Sequence, residues 1–130
     1  MEDLTTAVEV FVSINLIALG LSYILQPEAW KELLSRIQSR GPSGSFGFAF
    51  LALGLGSFIV AFHNVWGGVA TIVTVYGWGA LVKGALYLLF PGFGLKRIAM
   101  ALSMGAGLWR TAGALAMVLG VVVLRYALQA

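Results

Sequence analysis

From Gly41 to Val82 the chain contains no Asp, Glu, Lys or Arg. A soluble domain cannot hide so long an uncharged stretch, yet the stretch is about twice the roughly 20 apolar residues that cross a bilayer once. It reads as two membrane-spanning helices joined at HNVWGG, His63 to Gly68, where Asn, paired glycines and an interfacial Trp supply turn chemistry. Charge-free runs mark one further span on each side. The four expected spans are Thr6 to Leu25, Ser45 to Phe62, Val69 to Phe90 and Gly107 to Ala127. Composition agrees, since 10 % of residues are charged and 60 % hydrophobic, against roughly 25 % charged in a soluble domain. The expected fold class is all-α, a polytopic membrane protein forming one four-helix transmembrane domain over residues 1–130.

Several chemistries lose their ligands at once. The chain has no Cys and one His, His63, so neither a Cys/His zinc site nor thiol redox chemistry can be built, and no metal or cofactor is expected. The single Asp, Asp3, precedes the first span, which leaves His63 without an orienting aspartate for Ser/His/Asp catalysis. Nucleic-acid binding requires bases clustered on a watery surface, whereas several of these lie in or beside apolar segments. Glycine pairs such as Gly77/Gly79 and Gly105/Gly107 follow no strand and cradle no phosphate. The N-terminus MEDLTTAVEV is acidic where a secretory signal is basic, so the first span is expected to be retained.

Spans one and three each end in a Pro followed by a basic amphipathic stretch: Pro27 with EAWKELLSRIQSR, and Pro91 with GFGLKRIAMALS. Lys31, Arg36, Arg40, Lys96 and Arg97 all lie on this side, which places it in the cytoplasm of an inner or plasma membrane and both termini outside. Trp30, Leu33, Leu34 and Ile37 recur at helical spacing, as in a helix lying on the membrane surface.

Shifting the chain by 64 residues aligns its halves without a gap, pairing Gly20/Gly84, Tyr23/Tyr87, Leu25/Leu89, Pro27/Pro91, Gly41/Gly105, Leu51/Leu115, Ala52/Ala116, Leu55/Leu119 and Gly56/Gly120. The chain thus reads as two tandem helix, amphipathic segment, helix repeats, about 1–64 and 65–130. Each repeat holds two spans, so both copies insert the same way, and the repeat is parallel. Ala52 and Gly56, with Ala112, Ala116 and Gly120 in the second copy, form small-residue faces suited to close helix packing. Spans two and four are expected to pack together or on another subunit.

The segment IALGLSYILQPEAWKELLSRIQ resembles the start of the YjeT-type small bacterial inner-membrane proteins, and LWRTAGALAMVLGVVVLRY resembles the second span of that family. Family members are about half as long, so the resemblance implies a tandem duplication. Phe46 stands where the second copy has Arg110, and Gly94 where the first has Trp30. The family carries no catalytic motif to transfer.

Polar residues inside spans are the candidates for function. Lys83 lies about 10 Å inside the inner boundary, and Arg110 at similar depth, so the two suggest a pocket for an anionic headgroup or two independent phosphate anchors. Asn15, near the middle of span one, is expected to bond a neighbouring helix or a substrate. Glu9 lies about 15 Å from Lys83 along the axis and cannot pair with it; it is expected to be solvated at the interface, His63 to be a surface residue, and Trp78 to be central enough to line a cavity. No acid, base and nucleophile share one depth, so no enzyme is expected. The leading expectation is an accessory or scaffolding membrane subunit that binds partner helices and anionic lipid, as a homo-oligomer or with another membrane protein. The alternative is a small oligomeric transporter or channel using Lys83 and Asn15, with Arg110 as a further candidate.

Overall fold

The computed structural model describes residues 2–129, with side chains from residue 4 onward. Six helices follow in order: α1 (Glu2–Leu25), α2 (Pro27–Ser39), α3 (Pro42–Phe62), α4 (Ala70–Leu89), α5 (Pro91–Ser103) and α6 (Ala106–Gln129). Four of them, α1, α3, α4 and α6, are long and apolar enough to cross a membrane. The described residues form an all-α fold compatible with a multi-pass membrane protein.

Proline sets the breaks. Pro27 and Pro91 offer no N–H to the helix before them and push the preceding residue out of helical geometry. Gln26 (φ −133°, ψ 52°) and Phe90 (φ −131°, ψ 76°) take nearly the same conformation. Their backbone amides still close the last turn, on Ser22 O at 2.7 Å and Leu86 O at 2.8 Å. The chain then restarts as a helix, because proline is well suited to a first turn that lacks N–H acceptors. At Gly41 the backbone has φ 66°, a left-handed conformation that glycine alone adopts without strain, and α3 begins at Pro42. We call this end of the bundle the elbow end; the opposite end carries the 63–69 turn, the start of α1 and the end of α6.

The long helices pack as two antiparallel pairs, α1 with α6 and α3 with α4. Spans two and four, α3 and α6, expected to pack together or on another subunit, are not neighbours of each other among the described residues. The reason lies in glycines. A Cβ at Gly20 would overlap the Gly113 carbonyl, and one at Gly113 would overlap that of Gly20. At the positions 64 residues on, a Cβ at Gly84 would run into the Leu53 amide and Ala49 carbonyl of α3. Gly56 likewise lies against Leu81 of α4, and Gly120 against Ile17 and the Ser13 carbonyl of α1. Each half's first span therefore packs on the other half's second span, with contacts related by the same 64-residue offset. Of the expected small-residue positions, Gly56 and Gly120 lie inside these pairs; Ala52 and Ala116 are half-buried and Ala112 exposed.

Between the two pairs runs a core of Val8, Val12, Leu16, Ile59, Val73 and Val123. At the elbow end α2 and α5 cross-pack, and Leu34 and its offset counterpart Ile98 are buried with Trp109. The amphipathic helices thus close one end of the bundle. Outward, Leu51, Leu89 and Leu128 are mostly exposed, as suits surfaces that meet lipid.

In lipid no hydrophobic force drives helices together, so these backbone approaches carry the packing. Gly20→Ala and Gly84→Ala should each lower the unfolding free energy by about 1–3 kcal/mol, since neighbouring backbone must yield. Gly47→Ala and Gly54→Ala enter open space and should leave stability unchanged or raise it by up to about 1 kcal/mol. Detergent-to-SDS unfolding curves measure the difference.

Candidate functional site

The three candidate polar residues do not converge. Asn15 is half-buried on α1 and its Nδ2 donates to Phe11 O at 2.8 Å, within its own helix, so it makes no bond to a neighbouring helix. Such back-bonding satisfies an amide that lipid cannot. Arg110 is exposed and its Nε donates to Ile24 O at 3.3 Å. That carbonyl belongs to the last turn of α1, where a cation meets the negative end of the helix dipole. Lys83 alone faces a cavity.

Its ammonium lies 4.7 Å from the centroid of the Phe48 ring and 5.7 Å from that of Tyr87. Desolvated cations over aromatic faces gain attraction from the ring quadrupole. Two cavities meet at this point. One, of about 470 Å³, is an apolar groove between the helix pairs, lined among others by Leu19, Leu51, Leu55, Tyr76 and Lys83. The second, of about 150 Å³, lies toward the elbow end and adds Arg97, Ile98 and Trp109. Tyr23, Trp30, Phe48 and Lys83 line both. The partner of Lys83 in this site is thus Arg97, not Arg110. In the sequence Arg97 is one of the basic elbow residues, and nothing there says that α5 folds back over the end of α4.

Aromatic packing builds the walls. Tyr23 meets Trp30 and Trp109 edge to face, at centroid distances of 4.9 Å and 5.2 Å. The indole N–H groups are satisfied, Trp30 donating to Ser22 Oγ at 2.8 Å and Trp109 to Ala101 O at 3.2 Å. In the other half the counterparts of Trp30 and Trp109 are Gly94 and Ser45, which sit against each other and Tyr87. Tyr87 instead stacks on Phe48 at 5.9 Å. The offset relates the scaffold but not the site.

A second polar cluster lies near the opposite end. Glu9 and His63, expected to be solvated, are 3 % and 1 % exposed. Glu9 Oε2 lies 2.8 Å from His63 Nε2, and Thr74 Oγ1 lies 3.0 Å from Nδ1. Thr74 also donates to Val65 O at 2.6 Å. His63 therefore does have an acidic partner, Glu9, brought from 54 residues away by the packing of α1 beside the end of α3. The acid, imidazole and hydroxyl resemble a hydrolytic triad in composition but not in wiring. In a triad the hydroxyl gives its proton to the imidazole; here its proton points to a carbonyl. Thr74 is thus no activated nucleophile. Trp78 of α4, expected near a cavity, donates to Asn64 Oδ1 of the turn at 3.3 Å. Among the described residues no three His, Asp or Glu side chains come together as metal ligands do.

Comparison with family models, curated proteins and solved structures finds no match for this chain.

With no native cysteine, Lys83→Cys and Asn15→Cys each create a single thiol. A charged thiol reagent reaching the elbow end should modify the first readily and the second hardly at all, as mass spectrometry of the reacted protein would register. Equal rates at both positions would mean that Asn15 shares the water of the Lys83 cavity.

Proposed function

We propose that the chain is a non-enzymatic accessory membrane protein that holds an anionic amphiphile, a lipid with an acidic headgroup, between its two helix pairs. One observation carries this reading: the Lys83 ammonium sits where a long apolar groove meets a smaller cavity bearing Arg97. An acyl chain suits the groove, whose exposed lining is mostly carbon, and a phosphate suits the two cations. With Lys31, Arg36, Arg40, Lys96 and Arg97 at the elbow end, that end belongs in the cytoplasm of an inner or plasma membrane and the termini outside. Acidic lipid is expected there, and polybasic segments are attracted to it.

The accessory role is supported by α3, where Gly47 and Gly54 open onto free space, a surface that a partner helix or a second copy can approach closely. The alternative of a transporter or channel that uses both Lys83 and Asn15 has less support, because Asn15 is turned onto its own backbone.

Native mass spectrometry of protein released gently from its membrane tests both parts. Acidic phospholipid should stay bound at one copy per chain in preference to a zwitterionic one. Lys83→Met and Arg97→Met should each weaken retention about fivefold, the equivalent of about 1 kcal/mol per cation, while Arg125→Met at the other end should not. A co-purifying membrane protein supports the accessory role. A homo-oligomer without lipid preference would favour transport instead.

A further inference from the structure

The hydrogen-bond chain at the terminal end fixes more than it first suggests. The Thr74 hydroxyl has one proton, and its 2.6 Å contact with Val65 O claims it. Toward His63, 3.0 Å away, the same oxygen can only accept. Nδ1 must therefore carry a hydrogen. Nε2 then faces Glu9 Oε2 at 2.8 Å in one of two ways: an imidazolium N–H donates to a carboxylate, or a carboxylic acid O–H donates to the bare nitrogen. Both arrangements hold one proton between the two atoms, and both are neutral overall.

We propose that Glu9 and His63 form a binding site for a single proton, held in the otherwise apolar interface between the α1·α6 and α3·α4 pairs. No other ionisable side chain among the described residues completes it. Arg125 and Tyr126 of α6 are exposed, α3 has none, and Tyr76 of α4 packs on the apolar core and lines the groove. The side chains of Glu2 and Asp3 lie outside the described residues. Release of the proton leaves a buried carboxylate opposite a nitrogen lone pair, a net charge in a medium that solvates it poorly. Uptake of a second proton leaves an uncompensated imidazolium. The buried site is therefore most stable with one proton bound. No residue of the Lys83 cavity takes part, so this inference stands apart from lipid binding.

His63 is the only histidine, so its two ring nitrogens can be followed directly by ¹⁵N NMR in lipid nanodiscs, with the Glu9 carboxyl followed by ¹³C. Nδ1 should read as protonated. Nε2 and the Glu9 carboxyl should together account for one proton, as an N–H donating to a carboxylate or an O–H donating to the bare nitrogen. Glu9→Gln keeps the shape and lets an amide N–H donate to Nε2, which should then read as unprotonated while Nδ1 stays protonated. Thr74→Val removes the acceptor for Nδ1–H and should move the neutral imidazole's proton to Nε2. An unprotonated Nδ1 in the unaltered protein would overturn the proposal, as would an Nε2 that reads as protonated in Glu9→Gln. The unaltered protein alone decides the first point, so a variant that fails to fold does not shelter the idea.

Discussion

Everything in this bundle rests on the approach of backbone to backbone at Gly20 and Gly113, and at their counterparts Gly84 and Ala49. Between helices in lipid the hydrophobic effect gives no net attraction, so contact area and proximity of the chains decide which helices pair. Gly20 and Gly113 each leave room for the other's carbonyl. Lengthening either side chain drives α1 and α6 apart along their whole contact. The same holds for Gly84 against Leu53, and for Gly56 and Gly120 one or two turns along. A pairing fixed by these points joins the first span of each half to the second span of the other, so neither half packs alone.

That exchange leaves a looser seam between the two pairs, and the polar chemistry gathers in it. At one end the seam is closed by the Glu9 and His63 contact, in the middle by a core of Val, Leu and Ile, and at the elbow by α2 packed on α5. The apolar groove and the Lys83 cavity occupy the stretch between core and elbow. Pairs of rigid helices joined by a weaker seam are the kind of element whose spacing a bound ligand or proton can alter, because the pairs move as units while the seam repacks.

The spans and elbows were legible because the signals are local. A run without charge sets each span, and Pro27, Gly41 and Pro91 set the breaks. Helix pairing was not, since Gly56 and Gly120 announce a close packing face without naming the partner. An expected span start at Thr6 puts Glu9 at the interface, whereas α1 begins four residues earlier, at Glu2. A signal did exist. Glu9 shares one face of α1 with the small residues Ser13 and Gly20 and with the core residue Leu16, the stripe that turns inward. His63 could not have been matched to it from sequence, as that requires knowing that α1 lies beside the end of α3. Arg97 was hidden for a similar reason, because its cavity exists only once α5 folds back over Tyr87.

The 64-residue offset also separates what holds the bundle from what gives it chemistry. Positions alike in both halves, such as Gly20/Gly84, Tyr23/Tyr87, Pro27/Pro91 and Gly56/Gly120, make the breaks and the close contacts. The chemically distinctive positions differ: Glu9 corresponds to Val73, His63 to Ala127, Lys83 to Leu19, Arg97 to Leu33 and Trp30 to Gly94. Val73 and Ala127 are buried like their counterparts, which means the fold tolerates either an apolar residue or a paired polar one there. Burying Glu9 without His63 would leave an unpaired acid in an apolar interface, so the two differences are coupled. A strictly symmetric bundle would need two such pairs and two Lys83 cavities. By keeping one of each, at opposite ends of the seam, the chain retains apolar packing over the remainder of its interface.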